Sequence, residues 1–234
     1  MSMSHERSIT IDGPAGSGKS TAARMLAQAL GYRYVSTGDL YRALALAVIR
    51  VGADPANEED VSSVAHSTII EIRQSPDGGQ RTFLNGEDVS EAIRSSQVDS
   101  VVSPVSVHPE VRKWLLGMQR AVAHENDVVM DGRDIGSVVL AGSKCKFFLT
   151  ASAEERARRR LGDYVRKGRV VDLDTVLKEI NERDAIDSSR PTSPLVIPVD
   201  AVVVDCTSMD AKQVVQKMLS VLGRSGVCST PLRD

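Results

Sequence analysis

The sequence predicts an α/β fold: a doubly wound, five-stranded parallel sheet with a small antiparallel subdomain inserted. Three observations predict it. Short apolar runs at Ser8–Asp12, Tyr32–Val35, Val128–Met130, Lys146–Thr150 and Ala201–Val204 alternate with segments whose apolar residues recur at helical spacing. Between Thr68 and Val89 the apolar period drops to two, as antiparallel strands require. A glycine-rich turn joins the first apolar run directly to the first helical segment. The 234 residues suit one domain with an elaboration and can bury a real core.

The elements follow in order. Ala22, Ala23, Leu26 and Leu30 share a helix face, and Gly31 supplies its stop. After the strand at Tyr32–Val35, Ser36-Thr37-Gly38-Asp39 opens a helix carrying Leu40, Leu44, Ala47 and Val48. The loop from Pro55 to Asp60 leads into a capped helix with Val61, Val64 and Ala65 on one face. Ile70 and Ile72 alternate with polar residues, Pro76-Asp77-Gly78-Gly79 turns the chain, and Thr82-Phe83-Leu84 returns before Asn85-Gly86 and Glu87-Asp88-Val89. Residues 98 to 109 give no clear period. Val111, Trp114, Leu115, Met118 and Val122 then mark a helix, with Trp114 and Met118 read as core. Ala153 to Arg160 and Leu173 to Ile186 read as helices around a mixed stretch, Gly162 to Asp172. Ala201–Val204 reads as a buried strand, after which Ser208 caps a helix that Gly223 ends.

Composition excludes several classes. Charged residues at 26% and apolar ones at 41% are ordinary for a soluble globular protein. A net charge of −2 gives no global attraction to nucleic acid or a membrane surface, and aromatics at 3% leave little for base stacking. No apolar run reaches about 18 residues, and the first seven residues lack a signal-peptide core. Cys145, Cys206 and Cys228 show no metal-ligand spacing, Cys145 and Cys206 reading as small core residues; the reducing cytoplasm is the expected compartment.

Function begins at the glycine-rich turn. Gly13-Pro14-Ala15-Gly16-Ser17-Gly18-Lys19-Ser20 fits the phosphate-loop spacing G-x-x-x-x-G-K-[ST], flanked by Asp12 and Thr21. Glycines let successive backbone N–H groups face inward on phosphate oxygens, and the following helix N-terminus adds positive potential. Lys19 is expected on the β- and γ-phosphates of a nucleoside triphosphate, and the Ser20 hydroxyl on Mg²⁺.

Downstream, arginines gather at four places: Arg42, Arg133 in Asp131-Gly132-Arg133-Asp134, the cluster Arg156/Arg158/Arg159/Arg160, and Arg183/Arg190 around Asp187. Arg133 falls just past a buried strand, at the carboxyl edge where α/β sheets bind ligands. Guanidinium groups grip phosphate in bidentate fashion, so converging arginines imply a second phosphate-bearing ligand. An ionised phosphate acceptor needs no general base, whereas a hydroxyl acceptor would want a carboxylate such as Asp39, Asp131 or Asp134. No Asn-Lys-x-Asp guanine signature occurs, and the chain is short for a motor. A nucleotide-binding module without turnover and a small-molecule hydroxyl kinase are the readings from other classes.

The segments ITIDGPAGSGKST, STGDLYRA, NGEDVSEAIRS, DGRDIGSVV, FFLTASAEERARRR and RDAIDSSRPTSPL occur in this order over nearly the whole chain. In them the sequence resembles the bacterial cytidylate kinases, a branch of the nucleoside monophosphate kinases. The resemblance implies a P-loop kinase that transfers the ATP γ-phosphoryl group to CMP or dCMP with Mg²⁺, as a monomer, with UMP/CMP-type preference as the alternative. It implies a core (8–60, 107–150, 186–223), a monophosphate-binding insert (about 61–106), a lid (about 153–185) and a mobile tail (224–234). It assigns Thr37, Arg42, Arg133 and Arg190 to the CMP phosphate, Ser103, Arg112 and Asp134 to the cytosine, and Arg183 with Asp187 to the sugar. An aspartate accepting from the cytosine amino group suits the base, because uracil offers no donor there. Lid residues Arg156 and Arg160, one turn apart, are implied to close over ATP, and Asp131 to orient the Mg²⁺ shell. Ser36 and Asp39 depart from the family pattern: Asp39 is expected either to cap the following helix or to repel a nearby phosphate.

Overall fold

A computed structural model describes residues 7–166 and 168–225; most of the expected tail and Cys228 lie outside the described residues. Five parallel strands build the main sheet: β1 (Ser8–Asp12), β2 (Arg33–Ser36), β6 (Val128–Gly132), β7 (Cys145–Thr150) and β8 (Val202–Asp205), in spatial order β2-β6-β1-β7-β8. Central β1 and β6 are buried on both faces, which is why they read as continuous apolar runs. On one face α1 (Lys19–Leu30) and α8 (Ala211–Ser225) bury Leu26, Met218 and Leu222 against Ile9, Ile11 and Phe147. Val35, Met130, Ile135 and Leu140 pack on the other.

A second core fills the space between α2 (Thr37–Val51), α3 (Glu58–His66), α4 (Ser96–Val107) and α5 (Pro109–Glu125). Against it lies the expected antiparallel sheet, β3 (Ile70–Gln74), β4 (Gln80–Leu84) and β5 (Glu87–Asp88) in order, followed by a single turn at Ala92–Arg94. Helices α6 (Ala153–Arg166) and α7 (Leu173–Ser189) form a small unit of their own around Ala157, Tyr164, Val176 and Ile180. Cys145 and Cys206 are buried in the core, as expected.

Four local expectations change. Most of the stretch 98–109, read as without a clear period, belongs to α4 (Ser96–Val107): Ser95 caps Val98 N–H, and Val98, Val102 and Val105 are buried although Pro104 interrupts the helix interior. The last strand, read as buried, is an edge strand in which Val202 and Val203 stay 37% and 46% exposed and Val204 alone turns inward. Asp210, not Ser208, caps α8, through a reciprocal pair: Gln213 N–H donates to Asp210 Oδ1, and Asp210 N–H to Gln213 Oε1. Gly223 does not end α8, which runs to Ser225. Among the described residues no helix is long and apolar enough to cross a membrane.

Candidate active site

The turn after β1 is shaped by backbone crowding. At Gly13, with φ +148°, a Cβ would stand 2.0 Å from the Leu149 carbonyl oxygen, so any side chain would collide with β7. Gly16 and Gly18 also take positive φ. Lys19 is buried within its own loop, its Nζ donating to the Pro14 carbonyl at 2.7 Å and facing Ser17 Oγ at 3.5 Å. Burial, with Arg133 nearby, pushes its ammonium well below the ordinary range. Thr21, in the first turn of α1, is exposed on the wall of the cleft described below.

The loop is also gripped from outside. Arg156 donates to the Ala15 and Ala151 carbonyls, each at 3.1 Å, and pairs with Asp184, which accepts from Ala15 N–H at 3.3 Å. Arg159 reaches the Ser17 carbonyl at 3.3 Å and the Cys206 carbonyl at 2.6 Å. Arg156, expected to close over ATP, is therefore buried beneath the loop. One-turn spacing does not give Arg156 and Arg160 the same partners: Arg156 is held by Ala15, Ala151 and Asp184, and Arg160 reaches Asp99.

At the carboxyl end of β6, Ser20 Oγ donates to Asp131 Oδ2 at 2.8 Å, and the Tyr34 hydroxyl donates to Oδ1 at 3.0 Å. Burial pushes the Asp131 carboxyl up, with Lys19 opposing it. The two residues expected around Mg²⁺ thus meet in space. Asp12, expected in the nucleotide site, has another partner set. Its two oxygens accept from Ile135 N–H at 2.8 Å and Gly136 N–H at 2.7 Å, and burial raises its carboxyl to about 6. It fixes the turn that follows Asp134. Thr37 Oγ1 donates to the Asp131 carbonyl at 2.8 Å, tying α2 to β6 rather than facing open space.

The arginines converge on carboxylates. Arg133 Nε donates to Asp187 Oδ2 at 2.7 Å, and Arg190 Nη1 lies 3.3 Å from Oδ1 while Nη2 holds the Ser193 carbonyl at 2.8 Å. Burial of Asp187 works against ionisation, but Arg133, Arg183 and Arg190 outweigh it and hold the carboxyl below its ordinary range. Burial, with Arg133 beside it, draws the Arg183 guanidinium down to about 10, and its Nε makes no hydrogen bond. Arg112 donates to Asp134 Oδ2 at 2.6 Å and to the Ser106 carbonyl at 3.1 Å, with its guanidinium 5.3 Å from the centre of the Tyr41 ring. Ser103 lies half-buried on α4, its carbonyl accepting from Ser106 Oγ at 3.0 Å. Arg42 donates to the Ile93 carbonyl at 2.8 Å and to Asp99 at 2.6 Å.

A cleft of about 840 Å³ opens over the loop, lined by residues 16–21, by Arg158, Arg159 and Arg160 of α6, by Arg94, Asp99 and Arg169, and by Met209–Ala211. Of the expected acceptor residues, Arg42 alone among the described residues lines it; Arg112, Arg133, Asp134, Asp187 and Arg190 form a second group outside it. The sequence reading omitted Arg94, Asp99 and Asp184 from the site. Asp39 neither caps α2 nor faces open space: it is buried and paired with Arg94. The one available signal was the Ile93-Arg94 pair in NGEDVSEAIRS.

A parallel sheet whose first strand feeds a glycine loop ending in a buried lysine, with a serine and a strand-end aspartate in contact beside it, defines a P-loop nucleotide-binding protein. The cytidylate kinase family model matches residues 9–224. Curated cytidylate kinases align over most of their length at 48% identity. Those of Pelotomaculum thermopropionicum and Caldanaerobacter subterraneus subsp. tengcongensis cover 91% and 93% of this chain and 94% and 95% of their own. That of Mycolicibacterium paratuberculosis covers 92% and 95%. The chain belongs to the cytidylate kinase family, as its motifs led one to expect.

Proposed function

We propose that the chain transfers the γ-phosphoryl group of ATP to CMP and dCMP, giving ADP with CDP or dCDP. The names of its relatives support this reading. The observation that carries it is the gathering of Arg133 and Arg190 on Asp187, next to the Arg112–Asp134 pair and one strand-end away from Ser20 and Asp131.

In this reading the loop backbone and Lys19 hold the β- and γ-phosphates, while Arg42, Arg133 and Arg190 hold the CMP phosphate. An acceptor oxygen forms the new bond to phosphorus as the bond to the β–γ bridging oxygen breaks, its electron pair staying on ADP. Because the acceptor is already ionised, no side chain has to take a proton. Asp134 accepts from the cytosine amino group, with Arg112 donating beside it. Arg183, with Asp187 holding the adjacent cations, lies on the sugar side. Arg160 belongs to the closing lid, and Arg156 to the support of the loop. The hydroxyl of Ser20 and the carboxylate of Asp131, both hard oxygens in contact, suit Mg²⁺, which binds through few protein oxygens and takes the rest from phosphates and water. When bound, Mg²⁺ would supply charge neutralisation on the phosphate oxygens.

We divide the chain accordingly into a core (8–60, 107–150, 186–223), an acceptor insert (about 61–106) and a lid (about 153–185). We read the chain as a monomer working in the cytoplasm, where ATP and CMP are metabolites. Coupled ADP-release assays with CMP, dCMP, UMP and AMP test the reading. CMP and dCMP should be preferred; equal turnover of UMP would overturn the cytosine-reading roles of Arg112 and Asp134.

A further inference from the structure

Asp99 is the residue through which α4 meets the cations of the lid. It lies in the first turn of α4 with its carboxylate largely buried. Oδ1 accepts from Arg42 Nη2 at 2.6 Å, Oδ2 lies 3.0 Å from Arg160 Nη2, and Arg169 Nη1 is 3.9 Å away. Burial disfavours its charge, but Arg42 and Arg160 outweigh that and hold its carboxyl below the ordinary range. The two lid arginines are fixed at their other side as well, with guanidinium carbons 4.9 Å (Arg160) and 4.0 Å (Arg169) from the centre of the Tyr164 ring. The Tyr164 hydroxyl donates to Glu179 of α7 at 2.9 Å, so the aromatic support is itself held in place.

This arrangement has a consequence for the lid. Arg42, Arg160 and Arg169 all line the cleft over the phosphate loop, and three cations gathered without an anion repel one another. Asp99 is the carboxylate that contacts Arg42 and Arg160 and faces Arg169 at 3.9 Å. A guanidinium has five N–H donors, so one bond to Asp99 leaves donors for phosphate oxygens. The carboxylate can therefore stay in place while nucleotide binds.

We propose that Asp99 is a positioning residue: it holds Arg160 and Arg169 of the lid against Arg42 of the acceptor side, so that the lid arginines stand over the cleft before it fills. The proposal rests on the phosphotransferase reading and adds to it a residue that links acceptor arginine to lid.

The test is a set of single-turnover rates with radiolabelled ATP and CMP, with CMP dissociation constants measured by calorimetry. Asp99→Asn should lower the transfer rate about tenfold, as a misplaced reacting group does, and change the CMP dissociation constant by less than about threefold. Asp99→Glu, which keeps the charge, should restore at least about half the rate, and it decides the matter if the Asn variant fails to fold. In a chain that also carries Arg160→Gln and Arg169→Gln, Asp99→Asn should alter the remaining rate by less than about threefold, because only its bond to Arg42 is left. An equal loss in both backgrounds would make Asp99 a support for α4 and overturn the proposal. So would an unchanged rate with tighter CMP binding, the signature of a carboxylate that competes with phosphate. If the unsubstituted chain showed no CMP-dependent transfer, the functional reading itself would fall instead.

Discussion

Asp187→Asn removes one negative charge from the point where Arg133, Arg183 and Arg190 meet, while leaving the side chain's shape almost unchanged. The carboxylate accepts from Arg133 Nε at 2.7 Å and lies 3.3 Å from Arg190 Nη1, with all three side chains mostly buried. Removing one partner of a buried ion pair costs about 3 to 5 kcal/mol, because the remaining charge stays buried without compensation. For a chain of this size that corresponds to a fall in the unfolding midpoint on the order of 10 °C. The loss should be partly reversible. Sulfate or phosphate in the buffer can occupy the uncompensated arginine group, so added anion should raise the midpoint of Asp187→Asn more than that of the unsubstituted chain. Transfer to CMP should fall about a hundredfold, since the acceptor arginines lose their fixed geometry. Thermal unfolding with and without sulfate, run beside the ADP-release assay, reads both effects. Wild-type stability together with wild-type transfer would show that Asp187 does not organise the arginines. A midpoint lowered equally with and without anion would show that its role lies in packing.

Two further outcomes follow from single contacts. Gly13→Ala places a methyl carbon 2.0 Å from the Leu149 carbonyl oxygen at φ +148°. It should cost about 2 to 5 kcal/mol in denaturant unfolding, from strain and crowding together, and abolish ATP binding; a cost under about 0.5 kcal/mol would refute the close approach. Asp12 has a folded-state carboxyl at about 6 against an ordinary 3.8. The folded chain thus holds that proton more tightly, so the contribution to stability is full below 3.8 and is lost as pH rises through 6. About two units correspond to about 3 kcal/mol, visible as a decline in unfolding free energy across this window that Asp12→Asn lacks; parallel curves for the two proteins would rule it out.

What the sequence made legible was what depends on local spacing. The phosphate loop, the strands that flank it and the turn at Asp131–Asp134 could all be read, because glycine, apolar period and chain order fix them without knowledge of distant residues. What escaped was which distant partner each side chain reaches. Arg156 and Arg160 share a spacing but not a destination, since the phosphate loop claims one and Asp99 the other. Asp12 sits beside the loop in sequence, yet turns away to two backbone N–H groups 123 and 124 residues downstream. Asp39 looked anomalous while its partner was unknown; Arg94, 55 residues on, pairs the buried carboxylate from the exposed side. Helix α4 escaped for a different reason. Its valines, serines and Pro104 disfavour helix individually, and burial of Val98, Val102 and Val105 prevails over propensity.

These pairings also bear on where binding energy arises. Most cations of the two groups already have a carboxylate: Arg133 and Arg190 share Asp187, Arg112 has Asp134, Arg94 has Asp39, and Arg42 and Arg160 share Asp99. A phosphate reaching these arginines joins an existing pair, so much of its attraction is offset by the carboxylate already there. Lys19 differs. Its ammonium donates to a carbonyl and faces a hydroxyl, the carboxylates of Asp131 and Asp187 reach it only through space, and burial draws it well below its ordinary range. A buried cation that no carboxylate touches gains most from an arriving anion. A phosphate group at Lys19 therefore relieves a cost of folding, whereas the paired arginines contribute mainly orientation.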